Sequence, residues 1–69
     1  MPYPSNDDLP PPIRRALPQH AQDIYRAAFN NAFEHYGEES ARRIAWAAVK
    51  RQYRKVAGKW IPIVPTAIS

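Results

Sequence analysis

Cysteine is absent from these 69 residues, so disulfides, thiolate nucleophiles and cysteine-ligated metals are all excluded. Packing alone must hold the chain together, which suits a reducing cytoplasm. Glycine occurs only at positions 37 and 58, too sparsely for a glycine-rich phosphate loop. Long apolar runs are missing too; the mean hydropathy of -0.59 argues against a membrane span. The start of the chain has prolines and Asp7 and Asp8 where a signal peptide needs basic and apolar stretches, so export is not expected. A cytoplasmic location, in a bacterial or a virus-infected cell, is the expectation. With so short a chain, one thin core and no deep catalytic cleft are expected. We read residues 1–69 as one domain, with its core in about 2–63 and a tail in 64–69.

Acidic residues are missing from the second half. All six lie within residues 1–39 beside only Arg14, Arg15 and Arg26, a net charge of -3. Residues 40–69 carry Arg42, Arg43, Lys50, Arg51, Arg54, Lys55 and Lys59, a net charge of +7. Such a half attracts phosphates, anionic lipid headgroups or acidic protein surfaces, and charge alone does not choose among them.

What is present is helical patterning. Five of the eight prolines fall in residues 1–12, which makes that stretch extended chain. A short helix is predicted near residues 11–17, capped by Asp8, with Ile13, Ala16 and Leu17 as its apolar contacts. Pro18 interrupts it and opens the next helix. From Gln19 to Tyr36, residues Ala21, Ile24, Tyr25, Ala28, Phe29, Ala32, Phe33 and Tyr36 follow helical spacing. Asp23, Arg26, Asn30 and Glu34 fall on the opposite face. Gly37 is a C-terminal stop, and Glu38 and Glu39 suit the first turn of a following helix.

That second long helix is predicted from about Glu39 to Ala57, with Ala41, Ala45, Ala48, Val49, Tyr53 and Val56 as its buried stripe. Small alanines opposite Phe29 and Phe33 favour an antiparallel pair. Gly58 ends it. The stretch from Trp60 to Val64 is β-prone but carries Pro62, so it is at most a short edge strand, with residues 1–4 as its expected partner. The fold class is therefore α+β and mainly helical: an antiparallel helical hairpin, a short N-terminal helix and a small sheet from the terminal segments.

The series Met1-Pro2-Tyr3, Asp8-Leu9-Pro10, Leu17-Pro18, His20-Ala21-Gln22-Asp23-Ile24-Tyr25, Ala28-Phe29-Asn30, Trp46-Ala47-Ala48-Val49-Lys50 and Lys59-Trp60 resembles the ChaB family in the same order. The resemblance covers nearly the whole chain from Pro2 to Trp60. It implies regulation of a cation antiporter that exchanges sodium or calcium for protons, from the cytoplasmic side. The chain departs from the family's bacterial pattern between Gly37 and Arg42, where some relatives carry a longer charged insertion, and in its apolar tail after Trp60.

The candidate binding residues are cationic. Arg43, Lys50 and Arg54, with Arg51 at the margin, project opposite the predicted buried stripe and make a basic face; its alternative reading is a solvated surface. Trp46 lies on the edge of this face, where core packing is the preferred reading and partner contact the alternative. His20 and His35 stand fifteen residues apart on one helix and cannot share a metal. His20 is read as positioning the helix start, His35 as a dipole partner at its end, and Asp23 as a structural hydrogen-bonding group. No catalytic constellation, metal or cofactor is expected, so the chain reads as a non-enzymatic binding protein. The competing function is accessory nucleic-acid binding through Arg43, Lys50, Arg51 and Arg54, with phosphate contacts dominating. A homodimer through the apolar tail is a third possibility.

Overall fold

Three consecutive prolines decide where the first helix starts. In the computed structural model, which describes residues 2–63, helix α1 runs Pro11–Ala16 with Pro10 as its N-cap. Proline is tolerated there because the first-turn N–H groups have no intrahelical acceptor. Asp8 does not cap α1 as expected. Its carboxylate accepts hydrogen bonds from the Ser5 backbone N–H and hydroxyl at 3.2 and 3.0 Å, closing a 3-10 turn at Asn6–Asp8. Leu17 is extended before Pro18, and helix α2 then runs Gln19–Tyr36.

A single residue joins α2 to helix α3, Glu38–Gln52. Gly37 holds φ 87° and ψ 178°, a positive-φ extended conformation open essentially to glycine. It differs from the left-handed helical cap expected of it, and the extended ψ sends the chain straight into the next helix. A Cβ at Gly37 would meet nothing within 4 Å, so the constraint is backbone strain alone. Gly37→Ala is therefore expected to cost about 1–2 kcal/mol, lowering Tm by roughly 5–10 °C without lost helicity. An unchanged Tm would show that the turn relaxes into another conformation.

The two long helices pack antiparallel. His20, in the first turn of α2, has its ring 6.3 Å from that of Tyr53, just past the end of α3, while Tyr25 meets Trp46 edge-on at 5.4 Å, two turns further in. The buried residues along this seam are Ala21, Tyr25, Phe29 and Ala32 from α2 and Ala41, Ala45 and Val49 from α3, joined by Leu9, Leu17 and Tyr53. Ala48, Ile24, Ala28 and Phe33 are half-buried. Tyr36 and Val56, both expected inside, are 67% and 43% exposed: Tyr36 is the last residue of α2, and Val56 lies beyond α3, which ends at Gln52.

The small sheet is made differently from the expected one. Helix α3 stops at Gln52, five residues early, and β1 (Tyr53–Val56) pairs antiparallel with β2 (Lys59–Pro62). Ala57 and Gly58 form the two-residue turn at φ 52° and 80°, the positive values that match the twist of a β-hairpin. Pro62 sits opposite Tyr53 at the open end, where its missing N–H costs little. The register continues one step, with the Ile63 N–H donating to the Gln52 carbonyl at 2.8 Å. Residues 64–69 of the predicted tail lie outside the described residues, as does Met1.

Among the described residues, the N-terminal segment pairs with no strand. Pro2 and Pro4 leave Tyr3 as the sole donor among three residues, so a ladder has nothing to grow from. The Asn30 side chain occupies that one residue fully: its oxygen accepts from the Tyr3 N–H and its amide donates to the Tyr3 carbonyl, both at 2.8 Å. The Tyr3 ring lies 4.9 Å from Phe29.

Candidate functional site

The row Asp23, Arg26 and Asn30, spaced along one face of α2, reads from sequence as lying opposite the core stripe, with only Asp23 given a structural hydrogen bond. Structure gives the whole row a partner. Asn6 donates from its side-chain amide to Asp23 Oδ1 at 2.6 Å and accepts from Arg26 Nε at 2.7 Å, while an Arg26 terminal nitrogen reaches the Pro4 carbonyl at 3.3 Å. This polar row straps residues 3–6 to the helix. Gln22 is the buried polar residue that sequence reasoning passed over; its amide donates to the Leu17 carbonyl at 2.9 Å and the Arg14 carbonyl at 3.2 Å. These carbonyls at and just past the end of α1 have no helical partner. The signal was available, since Gln22, Tyr25, Phe29 and Ala32 form one row of helical spacing.

Tyr25, 1% exposed, faces a cavity bordered by Tyr3, Pro12, Ile13, Glu38 and Arg42. Burial, with a smaller contribution from neighbouring Tyr3 and against the opposing pull of Arg42, pushes its hydroxyl up to about 12. The charged form is thus strongly disfavoured in the fold, which suits a core tyrosine rather than an acid or base working near neutrality. His20 is exposed and makes no capping hydrogen bond; the N-cap of α2 is Pro18. Among the described residues, no group of three His, Asp or Glu side chains is placed to hold a metal. Nor is any described helix long and apolar enough to cross a membrane.

The four candidate cations do not form one helical stripe. Arg43 and Lys50 are exposed on α3, two turns apart, and Arg51 is exposed one residue further round. Arg51 lines an open groove with His20, Tyr53, Pro62 and Ile63. Arg54, expected on the helix, stands on β1 opposite Ile61. The unfavourable like-charge spacing from Lys50 to Arg54 therefore does not arise, because the helix has ended between them. Trp46 is half-buried and packs between Tyr25 and Trp60, the latter at 5.8 Å.

Strand alternation sorts the hairpin into two faces. Tyr53 is buried, and Lys55 lies with its Nζ 5.8 Å from the centre of the Trp60 ring, so Tyr53, Lys55 and Trp60 look toward the helices. Arg54, Val56, Lys59 and Ile61 occupy the opposite face. Val56 and Ile61 are 43% and 37% exposed there, with Ile63 at 45% beyond them. Sequence reasoning missed this surface because it extended α3 through Ala57. Ala-Gly between two four-residue runs was the available hairpin signal, weaker than Asn-Gly.

The sequence profile of the ChaB family matches residues 9–62. A protein of Escherichia coli strain K12 named "Putative cation transport regulator ChaB" is 46% identical over 66 residues, an alignment covering 80% of this chain and 87% of that protein. An uncharacterized 10.9 kDa protein of Lymantria dispar multicapsid nuclear polyhedrosis virus is 38% identical over 53 residues, covering 75% of this chain and 56% of the viral protein. The solution structure of a protein of the same ChaB name superimposes with a TM-score of 0.81 at 41% identity, covering 91% of this chain and all of the other. Tyr3, Gln22, Asp23, Tyr25, Phe29 and Asn30, which carried the sequence resemblance, are the strap, cap and core of the fold described above. With profile, sequence and architecture in agreement, the chain belongs to the ChaB family.

Proposed function

We propose that this protein is a non-enzymatic regulator that binds a cation antiporter from its cytoplasmic side. Its contact surface in this reading is the cationic side of the molecule, Arg43, Lys50, Arg51 and Arg54, with the exposed part of Trp46 at its margin. The observation that carries the reading is the lack of local neutralisation. Arg42 is paired with Glu38 at 3.6 Å, whereas none of the other four has a described carboxylate within salt-bridge distance. The names of the relatives supply the cation-transport class of the target.

Nucleic acid is the weaker occupant of the same surface. Tyr25, Phe29 and Tyr53 are buried, and Trp46 and Trp60 pack on each other, which leaves Tyr36, 67% exposed at the end of α2, as a single open ring rather than a platform for successive bases. Binding would reduce to phosphate contacts with a steep salt dependence. Pull-down with the full chain, with and without nuclease at two salt concentrations, separates the two: a nuclease-resistant membrane-protein partner supports regulation, and a nuclease-sensitive one supports nucleic acid.

Reversing Arg43, Lys50 and Arg54 together to glutamate should leave helicity nearly intact, since exposed substitutions usually change stability by less than about 0.5 kcal/mol each. Affinity for purified antiporter in detergent is expected to fall, and its salt dependence to flatten. Equal affinities and salt slopes for variant and wild type would move the contact elsewhere on the molecule.

A further inference from the structure

We infer that the outer face of the β-hairpin is a docking surface for an anionic lipid bilayer, with Val56, Ile61 and Ile63 entering the headgroup boundary and Arg54 and Lys59 engaging lipid phosphates. Exposed aliphatic side chains and cations alternate across paired strands here: Arg54 faces Ile61 and Val56 faces Lys59. All four side chains are exposed. Lys50 and Arg51 lie on the adjoining end of α3, and the sequence has no acidic residue from position 40 onward to oppose a negative surface.

Charge complementarity narrows the occupant to something anionic, and the aliphatic residues choose within that class. A nucleic acid rewards cations and open aromatic faces, yet Tyr53 and Trp60 are turned toward the helices, and aliphatic side chains gain nothing against a phosphate backbone. A folded acidic protein needs about 800 Å² on each partner for a stable contact, more than a four-residue hairpin face supplies. A bilayer needs neither area nor a matching groove. Shallow burial of a few aliphatic groups and several independent headgroup attractions act together, and both terms are on this face.

Vesicle flotation of the full chain tests the inference, using phosphatidylcholine alone and phosphatidylcholine with one-third phosphatidylglycerol. The wild type should float with the anionic vesicles and not with the neutral ones. Val56→Ser with Ile61→Ser keeps the charge and should weaken binding about tenfold; Arg54→Glu with Lys59→Glu should weaken it at least tenfold and flatten its salt dependence. Because the chain has no cysteine, Ile61→Cys carrying an environment-sensitive dye gives a second reading: its emission should shift to the blue on anionic vesicles, while the same dye at Glu39→Cys should not respond. Absence of flotation, or a serine pair that floats like the wild type, overturns the inference. So does a silent dye at position 61, or equal binding to duplex DNA or polyglutamate that ignores the serine pair. The inference stands apart from the antiporter reading: antiporter binding in detergent without vesicle binding overturns only the former, and vesicle binding without antiporter binding overturns only the latter.

Discussion

Replacing Phe29 by alanine is expected to destabilise the protein by about 3–5 kcal/mol. The ring is 1% exposed and ties the strapped arm to α2: Tyr3 of the arm lies at 4.9 Å, and Tyr25 and Phe33 of its own helix at 6.1 and 5.9 Å. Removing it loses the transfer free energy of the ring and leaves a cavity that rigid helices close only partly. A domain of this length holds only about 3–10 kcal/mol in all, so the variant should be largely unfolded or melt far below the wild type. Circular dichroism melts decide the matter. A Phe29→Ala protein with wild-type Tm would mean that the core is organised around other side chains.

Alkaline pH should remove the next largest share of stability, through Tyr25. Its hydroxyl titrates at about 12 in the fold against 10.0 when unperturbed, chiefly because burial disfavours the phenolate. Between these values the folded state keeps a proton that the unfolded state releases, so stability is intact below about pH 10 and declines as pH rises toward 12. Across that interval the loss amounts to about 2–3 kcal/mol. Tyr25→Phe lacks the proton and should lose correspondingly less stability over the same range. Urea titrations of both proteins at pH 9 to about 12 provide the comparison; parallel declines would show that other groups cause the alkaline loss.

Much of the helical architecture was legible along the chain. The limits of α2 at Gln19 and Tyr36 follow from Pro18, Gly37 and the apolar rhythm between them, all local features. Ala41, Ala45 and Val49 were found because four-residue spacing on α3 identifies the side that needs cover. The C-terminal hairpin was not legible, because Tyr53 and Val56 satisfy the period of a helix as well as the end positions of a four-residue strand. Only packing separates those readings: Trp46 receives Trp60 at 5.8 Å, and that contact requires the chain to turn back at Ala57-Gly58. The candidate site inherited the same ambiguity, so Arg43 and Lys50 kept their helical surface while Arg54 moved to a strand.

Sequence by itself determined the charge of the second half, the α2–Gly37–α3 hairpin and the stripe that closes it, since composition, torsional freedom and periodicity act over a few residues. Tertiary structure decided which polar groups are structural and which face of the hairpin is left open. Asp23, Arg26 and Asn30 became a strap only because residues 3–6 lie against α2, and the proline-flanked Tyr3 had no strand to join. Val56 and Ile61 became surface because Tyr53 and Trp60 claimed the helix side, and strand geometry sends alternate residues to the opposite face. Contacts between segments far apart in the chain made both choices, and no local pattern encodes them.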